Sequence, residues 1–190
     1  MELTPSAERI VDAAERLIQA LGYNGFSYED VAKIVGIRKP SIHHHFPSKA
    51  DLGTVVVQRY TQRFMQKLAD ILCDESSVLN RLKAYVRLFE MTYTNHHRFC
   101  LCGMLGAESD SLPGEVNRAV QGFFVQNLAW LSTVLQAGLS VGEITLHNQP
   151  EALAECFLSA LEGSMVLGRG CQSAHGPEQV AETFFSLMRV

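Results

Sequence analysis

Apolar residues recur at helical spacing along almost the whole chain, and no segment alternates apolar and polar residues long enough to make a strand. That pattern restricts the fold to the all-α class, with about nine helices. Ile10, Ala13, Ala14, Leu17, Ile18 and Leu21 lie on one stripe of a 3.6-residue helix. Thr4 can N-cap that helix with Pro5 at its first position, and Gly22 stands where a left-handed residue ends it, which predicts a helix over Pro5–Leu21. Ser27 with Asp30, and Ser48 with Asp51, resemble capping boxes that use Asp in place of Glu. The first opens a short helix over Tyr28–Val35, stopped by Gly36. The second opens a long helix from Lys49 toward Cys73. Between them Lys39-Pro40 starts a third helix that reaches about His45. Further helices are expected over Val78–Asn95, over Phe99–Glu108, from Pro113 to about Gly138, over Glu151–Leu167 and over Glu178–Met188. The glycines from Gly163 to Gly170 read as a bend after the eighth helix.

Composition removes several classes. The chain has 190 residues, 47% hydrophobic and 19% charged, which is enough to bury a core and excludes disorder. No stretch reaches the roughly 18 apolar residues of a membrane span. The first eight residues carry neither the basic nor the apolar region of a signal peptide, so a cytoplasmic protein without a membrane partner is expected. The cysteines number five and are scattered, which reads as reduced thiols rather than a disulfide scaffold. The net charge of −4 argues against a polyanion partner, but its distribution does not. Residues 33–67 carry Lys33, Arg38, Lys39, Lys49, Arg59, Arg63 and Lys67 against Asp51 alone. A short basic segment in an acidic chain suggests one end for a polyanion and another for something else.

The segment 28–46 reads as a helix-turn-helix, a plan that lays its second helix in a DNA major groove. Ala32 lets the two helices approach, Gly36 supplies the positive φ of the turn, and Ile42 packs inward. Lys39, Ser41, His43 and His44 are left on or beside the outer face, as donors for phosphates and base edges. The helix starts after Ser27 and Ser48 can present N–H groups to phosphate.

On these residues the chain resembles the TetR family of transcriptional regulators. The matching lines are Gly22-Tyr23, Ser27, Asp30-Val31-Ala32, Gly36-Ile37, Ser41-Ile42-His43-His44-His45-Phe46 and Ser48-Lys49-Ala50-Asp51-Leu52. His43 stands where the family usually has a phosphate-contacting Tyr, Phe26 where a small polar residue is common, and Pro40 where a small residue precedes Ser41. The resemblance implies a DNA-binding domain over 1–50, with a fourth helix leading away from 48, and a ligand-binding and dimerisation domain over 51–190. It implies a homodimer on palindromic double-stranded operator DNA, a repressor released by a small-molecule effector, and no enzyme activity or cofactor. Ser27, Tyr28, Arg38, Lys39, Ser41, His43, His44 and Lys49 are the expected DNA contacts, with Ile42 and Phe46 holding the recognition helix. Some of Phe89, Met91, Tyr93, Phe99, Met104, Phe123, Phe124 and Trp130 should border an effector cavity, as alternatives to plain core. Leu153, Phe157, Leu161, Met165, Phe184, Phe185 and Met188 are expected to supply a dimer bundle from the last two helices.

Other constellations are weaker. Successive helix residues point about 100° apart, so His43-His44-His45 cannot close on one metal ion. Cys100 and Cys102, beside His96, His97 and Arg98, read as packing thiols, as a redox- or electrophile-sensing site, or as a structural metal site. On a helix their side chains diverge by about 200°, so one should face the interior and the other should lean outward. Nucleotide-binding glycine motifs, hydrolase elbows and metalloprotease motifs are absent from the sequence. A thiol-switched regulator on the same scaffold is the second reading. An all-α enzyme or binding module unrelated to DNA is the third.

Overall fold

Thr4 has extended backbone, its hydroxyl accepts the N–H of Ala7 at 3.3 Å, and Pro5 follows, so the first helix starts where the chain's own chemistry starts it. The structure, a computed structural model, describes residues 3–95, 98–145, 148–173 and 175–187. Among them are nine α-helices: α1 Pro5–Leu21, α2 Tyr28–Val35, α3 Lys39–His45, α4 Lys49–Asp74, α5 Val78–Thr94, α6 Leu101–Ala107, α7 Gly114–Ser140, α8 Pro150–Gly170 and α9 Pro177–Leu187. One 3-10 turn, Ser109–Ser111, joins α6 to α7 and has no counterpart in the sequence pattern. No described helix is long and apolar enough to cross a membrane.

Two compact units form. One combines Met1–Gln62 with Leu101–Phe123, and the other combines Arg63–Cys100 with Phe124–Val190. The chain therefore does not divide at one point: α6 and the start of α7 belong with α1–α3. In the first unit Ile10, Ile18, Val31, Ile42, Leu52 and Leu105 are buried, and α1 packs on α2, α3 and α6. In the second unit Tyr85, Phe89, Leu131, Phe157, Leu161 and Met165 are buried, and α5 packs on α8 and α9. Phe157, Leu161 and Met165 therefore fill their own protomer's core and are not available for a dimer face. Leu153, Phe184 and Phe185 are half-buried, and Met188 lies outside the described residues.

The expected bend at Gly163–Gly170 is not present, because α8 runs through to Gly170. Gly168 is there for a close approach: a Cβ on it would collide with the Tyr93 hydroxyl and the His175 carbonyl. Tyr93 crosses that gap to donate to the Ser173 carbonyl at 3.0 Å, which ties α5 to the α8–α9 connection.

Candidate functional site

The helix-turn-helix is assembled by three local devices. The Asp30 carboxylate accepts both the N–H and the hydroxyl of Ser27, at 2.9 and 2.7 Å, and these bonds hold it below the usual carboxylate range. Gly36 ends α2 at φ 75°, ψ 36°, a left-handed conformation that strains every residue with a Cβ and leaves glycine unstrained. Asp51 repeats the Ser27–Asp30 arrangement on Ser48, with the same distances of 2.9 and 2.7 Å. Between these ends, Ile42 has no exposed surface and Phe46 almost none, so the rotation of α3 about its axis is set by burial.

That rotation leaves Arg38, Lys39, Ser41, His43 and His44 exposed together along α3 and its N-cap. The His43 ring packs against Tyr28 with centroids 4.8 Å apart, and its Nδ1 lies 3.2 Å from the Pro47 carbonyl. With Nδ1–H assigned as the donor, Nε2 is the ring nitrogen left outward.

Three of the expected DNA contacts have other commitments. Ser27 is exposed, but its hydroxyl proton is held by Asp30. Tyr28 is corrected outright: its ring is buried, and its hydroxyl lies 2.9 Å from the Phe46 carbonyl and 2.5 Å from that of Ser48. Burial, with Asp51 nearby, raises that hydroxyl's pKa far beyond the ordinary tyrosine range. Tyr28 frames α3 and does not reach out. The Lys49 ammonium donates to the Phe26 carbonyl and lies over the rings of Phe26 and Tyr23, 4.2 and 4.7 Å from their centroids. Burial lowers its pKa, partly offset by Glu108.

Glu108 carries a connection that the sequence does not signal. Its carboxylate accepts the backbone N–H of Tyr23 at 2.5 Å, and both the backbone and side-chain N–H of Asn24 at 3.3 Å. The Asn24 side chain also donates to Ser111 Oγ at 2.8 Å. A residue 85 positions away thus closes the turn between α1 and α2. Nothing local to Glu108 points to a partner so distant.

The aromatic candidates fall into different surroundings. Phe89, Tyr93 and Trp130 belong to the second unit, where Tyr85 is the hub. Its ring stacks on Trp130 at 5.4 Å and 15°, and lies 5.2 Å from Phe89 and 6.3 Å from Phe157. Phe99 is half-buried beneath the Arg169 guanidinium, 4.8 Å from its ring centroid, and Phe124 is half-buried. Phe123 is buried in the first unit against Tyr60 at 5.5 Å, and Met104 of that unit is half-buried. Met91 is 66% exposed on α5, which corrects its assignment as a cavity residue.

The thiols also differ from expectation. Cys100 and Cys102 are both buried, so neither leans outward. Cys100 precedes α6, which begins at Leu101, so the helical divergence argument does not apply to it. Its thiol donates to the Glu162 carboxyl, and a thiolate there would put a second negative charge in an unsolvated site. His96 and His97, expected beside these thiols, lie outside the described residues. Among the described residues no group of three or more His, Cys, Asp or Glu could hold a metal ion.

A basic, exposed recognition helix seated by buried Ile42 and Phe46 on an all-α scaffold defines a helix-turn-helix DNA-binding regulator. Similarity to known proteins gives the family. The profile described as "Bacterial regulatory proteins, tetR family" matches residues 10–53, and that described as "Tetracyclin repressor-like, C-terminal domain" matches residues 78–188. The chain belongs to the TetR family of transcriptional regulators, which act by binding DNA and not as enzymes. It is 29% identical over 148 residues to the transcriptional regulator AcuR of Cereibacter sphaeroides, covering 76% of this chain and 68% of that protein. It is 26% identical to the transcriptional repressor ComR of Escherichia coli strain K12, covering 93% and 86%. The crystal structure of a TetR-family regulator from Agrobacterium tumefaciens superposes with a TM-score of 0.85 at 37% identity, covering 92% of this chain and 90% of that one.

Proposed function

We propose that this protein represses transcription in the cytoplasm as a homodimer on a pseudo-palindromic operator, and that a small effector releases it. The observation that carries this reading is the co-exposure of Arg38, Lys39, Ser41, His43 and His44 around the buried Ile42. Two copies of one recognition helix related by a two-fold need two matching half-sites, about 34–36 Å apart per helical turn of B-DNA. Lys39 and Arg38 supply phosphate contacts, Ser41 and His44 base-edge contacts, and His43 presents Nε2 beside them. Lys49 contributes chiefly by fixing the Phe26 and Tyr23 end of the domain. Val166 and Leu167, 59% and 68% exposed on α8, supply apolar surface for the dimer in place of the buried Phe157, Leu161 and Met165.

The effector acts by binding the non-operator state better than the operator state, since equal affinity for both shifts nothing. Residues 101–123 form one unit with the recognition helix, and the Glu108 bonds to Tyr23 and Asn24 tie α6 and its following turn to that unit. A displacement of α6 is thereby a displacement of the DNA-binding head.

The test is selection of bound fragments from random duplexes, then binding of the selected duplex at two salt concentrations. A two-fold-symmetric site is expected, and Lys39→Ala should lower the salt slope by about one unit. A parent protein with no preference among duplexes, or a monomer by light scattering at micromolar concentration, sinks the reading.

A further inference from the structure

The second unit holds a polar cluster inside its aromatic core. The Tyr85 hydroxyl donates to Asn127 Oδ1 at 3.0 Å, and both residues are fully buried. Glu162 on α8 comes close enough to Tyr85 to raise the pKa of that phenol, and its carboxyl accepts the Cys100 thiol. Two atoms in this cluster are buried without a hydrogen-bond partner: Glu162 Oε1, an acceptor, and Trp130 Nε1–H, a donor. Both residues neighbour Tyr85: Trp130 stacks on its ring, and Glu162 is close enough to act on its phenol.

Folded proteins pair nearly all such groups, and an unmade bond in a core costs more than an apolar residue of similar volume in the same space. A Leu at 162 and a Phe at 130 would pack here without that cost. The pair is therefore complementary to something else, and its chemistry says to what. Its acceptor is the one acidic side chain of the cluster, and its donor is an indole N–H. The rings of Trp130, Phe89 and Phe157 pack about Tyr85, and aromatic faces attract cations through their quadrupoles. An anion would meet a like charge on Glu162 and no basic group among these residues.

We propose that Glu162 and Trp130 recognise the effector, and that the effector is a small organic ammonium compound carrying an oxygen acceptor. The ammonium bonds to Glu162 Oε1, the oxygen accepts from Trp130 Nε1–H, and the carbons lie against the aromatic faces. This rests on the effector reading above and gives it a ligand class.

The probes are a matched set on one skeleton: 2-methoxyethylamine, 2-methoxyethanol and methoxyacetate. Each is titrated into the full-length protein by calorimetry, and each is tested for release of the selected operator. The amine is expected to bind at one site per protomer, at least tenfold tighter than the alcohol or the acid, and to release operator. Glu162→Gln should weaken amine binding tenfold or more with the parental far-ultraviolet circular dichroism spectrum, which shows that the variant is folded. Trp130→Phe should weaken it several-fold. Burial pushes the Glu162 carboxyl up to about 7, and a bound ammonium favours its ionised form. Amine binding should therefore release a proton near pH 6.5, seen as a buffer-dependent heat, and release none near pH 8. The groups facing that carboxyl are the Cys100 thiol before α6 and the Tyr85 phenol from α5, and uncharged Asn127 and Trp130 from α7 meet the same Tyr85 side chain.

Equal or tighter binding of the alcohol or the acid overturns the proposal, as does unchanged amine binding in Glu162→Gln or no binding by any probe. Amine binding without operator release overturns the effector assignment. A parent that binds no operator instead refutes the regulatory reading, and the calorimetric comparison still decides the ligand class.

Discussion

Replacing Glu162 by Gln should change how stability depends on pH, and the size of the change is set by where the carboxyl sits. Glu162 is half-buried as a residue, but its Oε1 is fully buried and unpaired. Burial raises its pKa from 4.5 to about 7, against a smaller lowering by the Cys100 thiol. Between those values the native state holds a proton that the unfolded chain has already released. Stability therefore falls as pH rises, with a slope of up to about 1.4 kcal/mol per pH unit. Below the unfolded value both states are protonated and the cost vanishes. Above the folded value the native carboxyl is ionised in its buried site and the full cost, about 3 kcal/mol, is present. Gln keeps the shape and the acceptor but cannot ionise. Urea unfolding of parent and Glu162→Gln, monitored by far-ultraviolet circular dichroism at one protein concentration from pH 5 to 8.5, measures this directly. The variant should gain about 2–3 kcal/mol on the parent across that range, over any constant offset. A difference that stays flat with pH would falsify the assignment of Glu162 as the buried titrating group.

Two further outcomes are expected. Glu108→Ala removes the acceptor of the Tyr23 and Asn24 N–H groups and should cost about 1.5–3 kcal/mol, lowering Tm by about 3–12 °C in scanning calorimetry. A shift below about 1 °C retires the Glu108 connection. Tyr28→Phe deletes the hydroxyl held by the Phe46 and Ser48 carbonyls, at a cost of about 1–2 kcal/mol in urea unfolding. It should weaken operator binding with no change in salt slope, because Tyr28 is buried, and a reduced slope would return it to the phosphate contacts.

The ends of α1, α2 and α3 were legible because they are local. Thr4, the Ser27–Asp30 pair, Gly36 and Pro40 satisfy or remove backbone groups within four residues of themselves, so adjacent side chains are enough to read them. The inward position of Ile42 was legible from the helix-turn-helix pattern itself, whereas that of Phe46, the extended residue that ends α3, came with the family resemblance. The 3-10 turn and the true start of α6 were not, because short segments follow their packing more than their propensity.

What only the tertiary structure decided is which chemically able side chains are already engaged. Tyr28 and Lys49 have the donors a phosphate needs, but carbonyls and rings brought from other segments occupy them. Met91 has the chemistry of a cavity residue and stands exposed on α5. Glu162 reads in the sequence as an ordinary helix glutamate, although it lies within the apolar run of Leu158, Leu161 and Met165. That position was the one available signal. Whether a side chain is buried, paired or orphaned depends on segments up to 88 residues away meeting in space. Helical periodicity fixes the side of its own helix on which a residue sits, and the packing of the other helices determines what it meets there.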